Sequence, residues 1–165
     1  MNDVERLAAT VEQLTERVRR LEDRIEIMQL VAQYGPAVDS GSGDAAAALW
    51  TEDGRFDAVP QRRMKGRAEI AEMVHGPGHG SLIENGCGHV LTVPHIEIDG
   101  DEATGRSYAL NIRWDAETDL FRVARVSANT WRWVRTPEGW RIAERVNANL
   151  DGTPAHREML APKPT

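Results

Sequence analysis

Residues 102–149 read EATGRSYALNIRWDAETDLFRVARVSANTWRWVRTPEGWRIAERVNAN. Three long runs rich in aromatic and β-branched residues, at 102–114, 120–135 and 140–149, are separated by Asp115-Ala116-Glu117-Thr118 and Thr136-Pro137-Glu138-Gly139. Long strands joined by short polar turns form antiparallel hairpins. A fourth run, 89–98, enters the same meander through Asp99-Gly100-Asp101. In the 102–114 run, alternation puts Tyr108, Leu110, Ile112 and Trp114 on one face and Ser107, Ala109 and Asn111 on the other. Both faces of several strands are partly apolar. Such a sheet is expected to bury one face against helices and a pocket, and the other against a neighbouring subunit.

Upstream the periodicity becomes helical. Apolar residues at Ile27, Leu30, Val31 and Tyr34 predict a helix that Gly35-Pro36 should kink or interrupt. After the turn Ser40-Gly41-Ser42-Gly43, Asp44 reads as the N-cap of a short helix over 45–50. Strands at 54–59 and 64–65 and a helix over 67–74 follow. That helix ends at Gly76-Pro77-Gly78-His79-Gly80, which reads as a mobile lid or linker. Helices first and a meander afterwards make an α+β domain, a cone-like curved antiparallel sheet wrapped around helices with a pocket between them. Its expected limits are 25–151. The proline-containing tail, 152–165, is expected to be poorly ordered or an arm.

The first thirty residues carry the strongest periodic signal, and 1–24 are expected to be an oligomerisation helix. Val4, Val11, Val18 and Ile25 alternate with Leu7, Leu14, Leu21 and Met28 in steps of three and four, a coiled-coil seam. β-Branched residues at the first position and leucines at the second favour two parallel strands, with Arg17 and Glu22 placed to pair between helices. The expected state is a homo-oligomer, dimer or trimer. The alternative is that this helix folds back on its own domain.

Composition narrows the function classes. Hydrophobic residues are 41% and charged residues 28% of 165, the balance of a globular protein, and the net charge of −6 disfavours nucleic acid as a partner. No stretch approaches the ~20 apolar residues that span a bilayer, and the N-terminus lacks a signal-peptide pattern. The single cysteine, Cys87, suits a reducing compartment. A cytoplasmic protein is expected, with a small-molecule ligand or substrate and no membrane partner.

Several strings, in order, resemble a known superfamily. Residues 34–41, Tyr-Gly-Pro-Ala-Val-Asp-Ser-Gly, then Leu49-Trp50-Thr51-Glu52-Asp53-Gly54 and Lys65-Gly66-Arg67, resemble nuclear transport factor 2-like proteins. The strings at 89–92 (His-Val-Leu-Thr), 96–103 (Ile-Glu-Ile-Asp-Gly-Asp-Glu-Ala) and 127–133 (Ser-Ala-Asn-Thr-Trp-Arg-Trp) resemble its SnoaL-like branch. Within it the chain looks most like scytalone dehydratase and hexachlorocyclohexane dehydrochlorinase. The resemblance implies that Asp39 holds His89, the base of an elimination, and that Ser127 and Asn129 line the pocket. The chain departs from the dehydratase where Val38 and Ala58 stand for two pocket tyrosines and Ser107 for a second histidine, which argues against scytalone as substrate.

The residue types are compatible with that chemistry, although a histidine and an aspartate this far apart in sequence do not point to it without the resemblance. A neutral imidazole accepts a proton near pH 7, and a carboxylate behind it fixes its tautomer. The alternative has Asp39 capping its turn and His89 as a half-buried rim residue. Tyr34 is a candidate hydrogen-bond donor to substrate, or an aromatic core residue. Asn129 and Ser127 share a face with Arg125 and Trp131 and are candidate substrate-binding residues, as is Asn111; the alternative for Asn129 is a cross-strand hydrogen bond. The tryptophans are expected mainly to pack the barrel. His75, His79, His89 and His95 lack metal-site spacing, so neither metal nor cofactor is expected. The expected function is a cofactor-independent lyase or isomerase, dehydratase-like in its proton abstraction, acting on a small, mostly apolar hydroxylated or carbonyl compound. The alternatives are a non-catalytic ligand-binding protein of the same fold or an accessory subunit of an oxygenase.

Overall fold

A computed structural model describes residues 2–162. It begins with α1 (Asp3–Asp39), capped by a reciprocal pair: the Asn2 side chain accepts from the Glu5 N–H at 2.9 Å, and the Glu5 carboxylate accepts from the Asn2 N–H at 2.8 Å. The first half of α1 touches little of the domain. Burial begins at Asp23, and from there Ile27, Leu30, Val31, Tyr34 and Val38 face the core. The predicted interruption at Gly35-Pro36 does not occur, and α1 runs on to Asp39. Pro36 lies in the last turn, where its missing N–H removes a single ladder bond. Gly35 is required by packing: a Cβ there would overlap the His89 carbonyl oxygen.

Next come α2 (Gly43–Ala47), β1 (Trp50–Val59), β2 (Arg62–Lys65) and α3 (Gly66–His75). Ser42, not Asp44, precedes the short helix, which is over before Trp50. The glycine-rich segment is corrected more substantially. It folds as α4 (Pro77–Glu84), set off from α3 by extended backbone at Gly76. Proline in the first turn is preorganised for a helix, and the His79 ring is anchored by a 2.8 Å hydrogen bond to the Val38 carbonyl oxygen. The expected run 89–98 is divided into β3 (Cys87–Leu91) and β4 (His95–Asp99) around Pro94, which has no N–H to donate. Both pair antiparallel with β5 (Glu102–Asp115), β4 along its first half and β3 along its second.

β6 (Leu120–Thr136) and β7 (Gly139–Asn149) complete a seven-stranded sheet of order β2-β1-β7-β6-β5-β3, with β4 beside β5. All neighbours are antiparallel except β1 and β7. The register breaks between Asn111 and Ile112 on β5, between Arg132 and Trp133 on β6, and along the start of β1. Each bulge bends its strand, so the sheet curls around the C-terminal half of α1. The core between them holds Ile27, Val38, Ile70, Trp50, Trp133 and Trp140. On the face with Tyr108, Tyr108 itself is exposed in the single chain and Leu110, Ile112 and Trp114 are half-buried; Leu120, Phe121 and Val123 on β6 are exposed. The tail forms a short helix, α5 (Pro154–Glu158), with His156 Nδ1 2.6 Å from the Asn149 carbonyl oxygen; the last part of the expected arm, 163–165, lies outside the described residues. Among the described residues no helix is long and apolar enough to cross a membrane.

Candidate active site

Asp39 is the last residue of α1, and His89 is at the centre of β3. The close passage of the strand over Gly35 brings them together. One carboxylate oxygen of Asp39 lies 2.5 Å from His89 Nδ1, and the other accepts the His89 backbone N–H at 2.7 Å. A carboxylate can only accept here, so Nδ1 carries the proton and Nε2 is left with a free lone pair. The Cys87 thiol donates to the same carboxylate at 3.6 Å; burial, first, and the Asp39 charge hold it protonated by raising its pKa.

An acidic residue at a helix C-terminus opposes the macrodipole, and no basic side chain relieves it in the last turn of α1. The arrangement is unfavourable for the helix and favourable for a proton arriving on His89, which would meet both a carboxylate and the negative helix end. Burial lowers the His89 pKa below its ordinary value, against the upward pull of Asp39. The ring is therefore neutral at neutral pH and able to accept a proton. His79 stacks obliquely near it, with ring centroids 5.5 Å apart.

His89 and His79 form one side of a cavity of about 230 Å³ lined by α1, α3, α4 and the inner sheet face. Phe56, Met64, Met73, Leu82 and Leu91 give it apolar walls. Its size, below the ~300–1,000 Å³ of drug-sized sites, suits a small ligand. A larger groove of about 930 Å³ lies outside, between Ile83–Gly86 and the β5–β6 turn, but it is open to solvent and His89 does not line it.

Tyr34 lines the cavity but is 4% exposed, edge-on to Trp50 and Phe56. Asn111 also lines it. Asn129, Ser127 and Trp131 lie one layer behind the cavity wall. The Asn129 amide oxygen accepts from Arg145 Nε at 2.9 Å and from Asn147 Nδ2 at 3.0 Å, so it is a cross-strand bond. Ser127 accepts from Arg125 Nε at 3.0 Å and Trp131 donates to the Ser107 hydroxyl at 2.9 Å. The side chains that face the cavity in their place are Arg125, Arg145 and Asn147, with Arg113. Sequence reasoning passed over these arginines and His79. Only Arg125 carried a signal, its period-two spacing from Ser127.

Metal-ligand geometry is a separate question. Donor atoms of Asp39, Cys87 and His89 lie within 4.8 Å of one another. The 2.5 Å between the Asp39 oxygen and His89 Nδ1 is shorter than the roughly 3.3 Å edge expected between ligands about 2.0–2.3 Å from zinc, and it fits a shared proton instead.

Comparison with known proteins places these features in a wider group. The family model described as "SnoaL-like domain" matches residues 19–146. The crystal structure of an NTF2-like protein with a cystatin-like fold from Novosphingobium aromaticivorans is 43% identical and superposes with a TM-score of 0.85, covering 98% of this chain and 99% of that one. Rv3472 of Mycobacterium tuberculosis, described as of unknown function, is 26% identical with a TM-score of 0.71, over 86% of this chain and 79% of that one. The uncharacterized protein Rv2910c of Mycobacterium tuberculosis is 29% identical over 135 residues, 78% of this chain and 86% of the relative.

Proposed function

The chain belongs to the SnoaL-like domain family, and from that membership we propose that it is a cofactor-independent lyase or isomerase whose first step is removal of a carbon-bound proton by His89. The family includes cofactor-independent isomerases and dehydratases. The observation that carries the reading is the two-point grip of Asp39 on His89, which fixes both the strand and the tautomer and leaves Nε2 as the base beside the cavity. Asp39 and the end of α1 stabilise the imidazolium formed in the transition state. Partial burial of the pair strengthens both interactions relative to water. The proton can then be returned to a different carbon, giving an isomerase, or passed to a leaving hydroxyl, giving a dehydratase.

Deuterium wash-in tests the shared first step whatever the net reaction. Small hydroxylated and carbonyl compounds are incubated with the protein in D2O, and loss of carbon-bound protons is followed by NMR. Exchange of at least one compound is expected; no exchange across such a panel removes the base assignment. The pH dependence has a defined sign. His89 must be neutral to act, and its pKa is shifted below 6.5. Activity therefore falls as the pH drops, with the acid limb of kcat/KM centred below 6.5. An acid limb centred above it would mean that a different group is titrating.

The assembly has its own support in α1. Where the helix already packs on its domain through Ile27, Leu30 and Val31, the seam residues Ile25 and Met28 remain 58% and 38% exposed. The seam and the domain-packing face are thus separate faces, and Leu7, Leu14 and Leu21 are exposed over more than half their surface. In proteins most helical stability comes from packing of an apolar face, and this seam has no cover in the single chain. We propose that a second copy of α1 covers the seam in parallel, with Arg17 of each helix facing Glu22 of the other. Sedimentation should give a dimer for the full chain and a monomer with unchanged domain fold for Leu14→Glu. An unchanged mass for that variant would exclude the seam as the interface.

A further inference from the structure

The inner end of the proposed site carries an unbalanced charge. Arg62, Arg113, Arg125 and Arg145 all line the 230 Å³ cavity, and among the described residues no aspartate or glutamate lines it. Arg145 is 3% exposed. Its guanidinium lies over the rings of Tyr34, Phe56 and Trp131 at 4.3, 4.6 and 4.6 Å, and Nε donates to Asn129. Nη1 of Arg145 has no partner in the protein, and neither does Nη1 of Arg113. Arg125 is bound to Ser127 and Asn147, both neutral.

Guanidinium does not discharge itself by losing its proton in a protein. Burying one without a counter-charge is strongly unfavourable, and a fold with no use for it would be more stable with an apolar residue of similar volume. Aromatic faces offset part of that cost. They leave the unpaired N–H groups unsatisfied. A planar anion with two acceptor oxygens is the group that a guanidinium fork matches best.

We infer that the substrate carries a carboxylate, which docks on Arg145 and Arg125 at the floor of the cavity and presents its adjacent carbon skeleton to His89 Nε2. This rests on the reading of His89 as the base, and it names the substrate class for that site: small organic acids whose apolar part fills the Phe56, Met64 and Leu91 side. Binding through the carboxylate also serves the reaction. Charge that develops on an oxygen when the proton leaves is stabilised by donors already oriented and shielded from water.

Calorimetric titration with benzoate and cyclohexanecarboxylate, against the neutral isosteres benzamide and cyclohexanecarboxamide, tests the inference. At least one acid is expected to bind wild-type protein more tightly than its amide, with affinity that weakens as salt rises. Arg145→Met should weaken that binding by at least about 30-fold, the lower end for removing one partner of a desolvated charge pair. Arg125→Met gives a second, independent reading if the first variant folds poorly. In ligand-free protein, Arg145→Met should leave the melting temperature unchanged or raise it, whereas a merely structural arginine would lower it. His89→Ala should still bind the acid, so loss of wash-in with retained binding separates failure of the base from failure of the anion site. Equal binding of acid and amide, no binding of either acid, or undiminished binding by both arginine variants would overturn the inference.

Discussion

Replacing His89 by alanine is expected to lower deuterium wash-in by about 10²–10⁴-fold, the usual contribution of a positioned general base, with the domain still folded. The fold should survive because Asp39 holds β3 through the His89 backbone N–H, which alanine retains. Asp39→Asn should be nearly as damaging, for a different reason. The carboxylate receives two N–H donors on two oxygens. An asparagine has one acceptor oxygen and must face one of those donors with its own NH2 group. The backbone donor is fixed by the β3–β5 ladder, so the ring is the partner that turns away, and the Nε2 lone pair loses its aim. Near-ultraviolet circular dichroism and melting temperature distinguish this from unfolding. Unchanged wash-in for His89→Ala, on a compound that the wild type exchanges, would remove His89 from the reaction.

The fold was legible because its signals are local. Hairpin turns announce themselves as short polar runs between long strands, and α1 as an apolar stripe, so the α+β order follows from residues 25–149 read alone. The parts that were misread involve contacts between distant segments. Gly76-Pro77-Gly78-His79-Gly80 carries every mark of a loop, yet it folds as part of α4 because His79 finds the Val38 carbonyl oxygen at the end of α1. Pro36 is tolerated because it falls within the last turn, a position that the sequence could not fix before the end of α1 was known.

The site divides in the same way. Neither His89 nor Asp39 has a local signature, and resemblance supplied both; their 2.5 Å contact depends on Gly35, fifty-four residues from the base in sequence but directly under the His89 carbonyl in the structure. Arg145 was illegible for a sharper reason. On β7, Trp140 and Ile142 point inward, and strict alternation would carry Glu144 inward after them. The register shift that pairs Arg132 with Glu144 but Trp133 with Ile142 inserts Ala143 as an extra residue, so Arg145, Asn147 and Asn149 turn to the inner side instead. One bulge thus converts an apparently acidic inner wall into a basic one. It also explains the displacement of Asn129: its face does point inward, but the side chain of Arg145 arrives from the next strand and covers it.

The largest expected effect on stability lies outside the cavity, at Asp23. One of its oxygens accepts from Arg135 at 2.8 Å and the other from the Trp140 indole N–H at 3.0 Å, and the residue is 4% exposed. Arg135 also lies over the Trp140 ring at 4.6 Å and reaches Asp101 at 2.8 Å, so this cluster fastens the middle of α1 to the β6–β7 hairpin and the β4–β5 turn. Asp23→Ala would leave a buried indole N–H unpaired and a half-buried guanidinium short of a partner, a loss of about 3 kcal/mol. For a chain of this size that is a fall in melting temperature of about 6–12 °C. The sign with pH follows from the Arg135 hydrogen bond, first, and the Trp140 bond, which together hold the Asp23 pKa below 3.8. A depressed carboxylate contributes stability that is complete above the unfolded value and is lost as pH falls through the folded one. The difference between wild type and Asp23→Ala should therefore be constant near neutrality and shrink below about pH 4. Urea denaturation across that range measures it, and a difference that persists undiminished into strong acid would show that Asp23 acts by packing and not by charge.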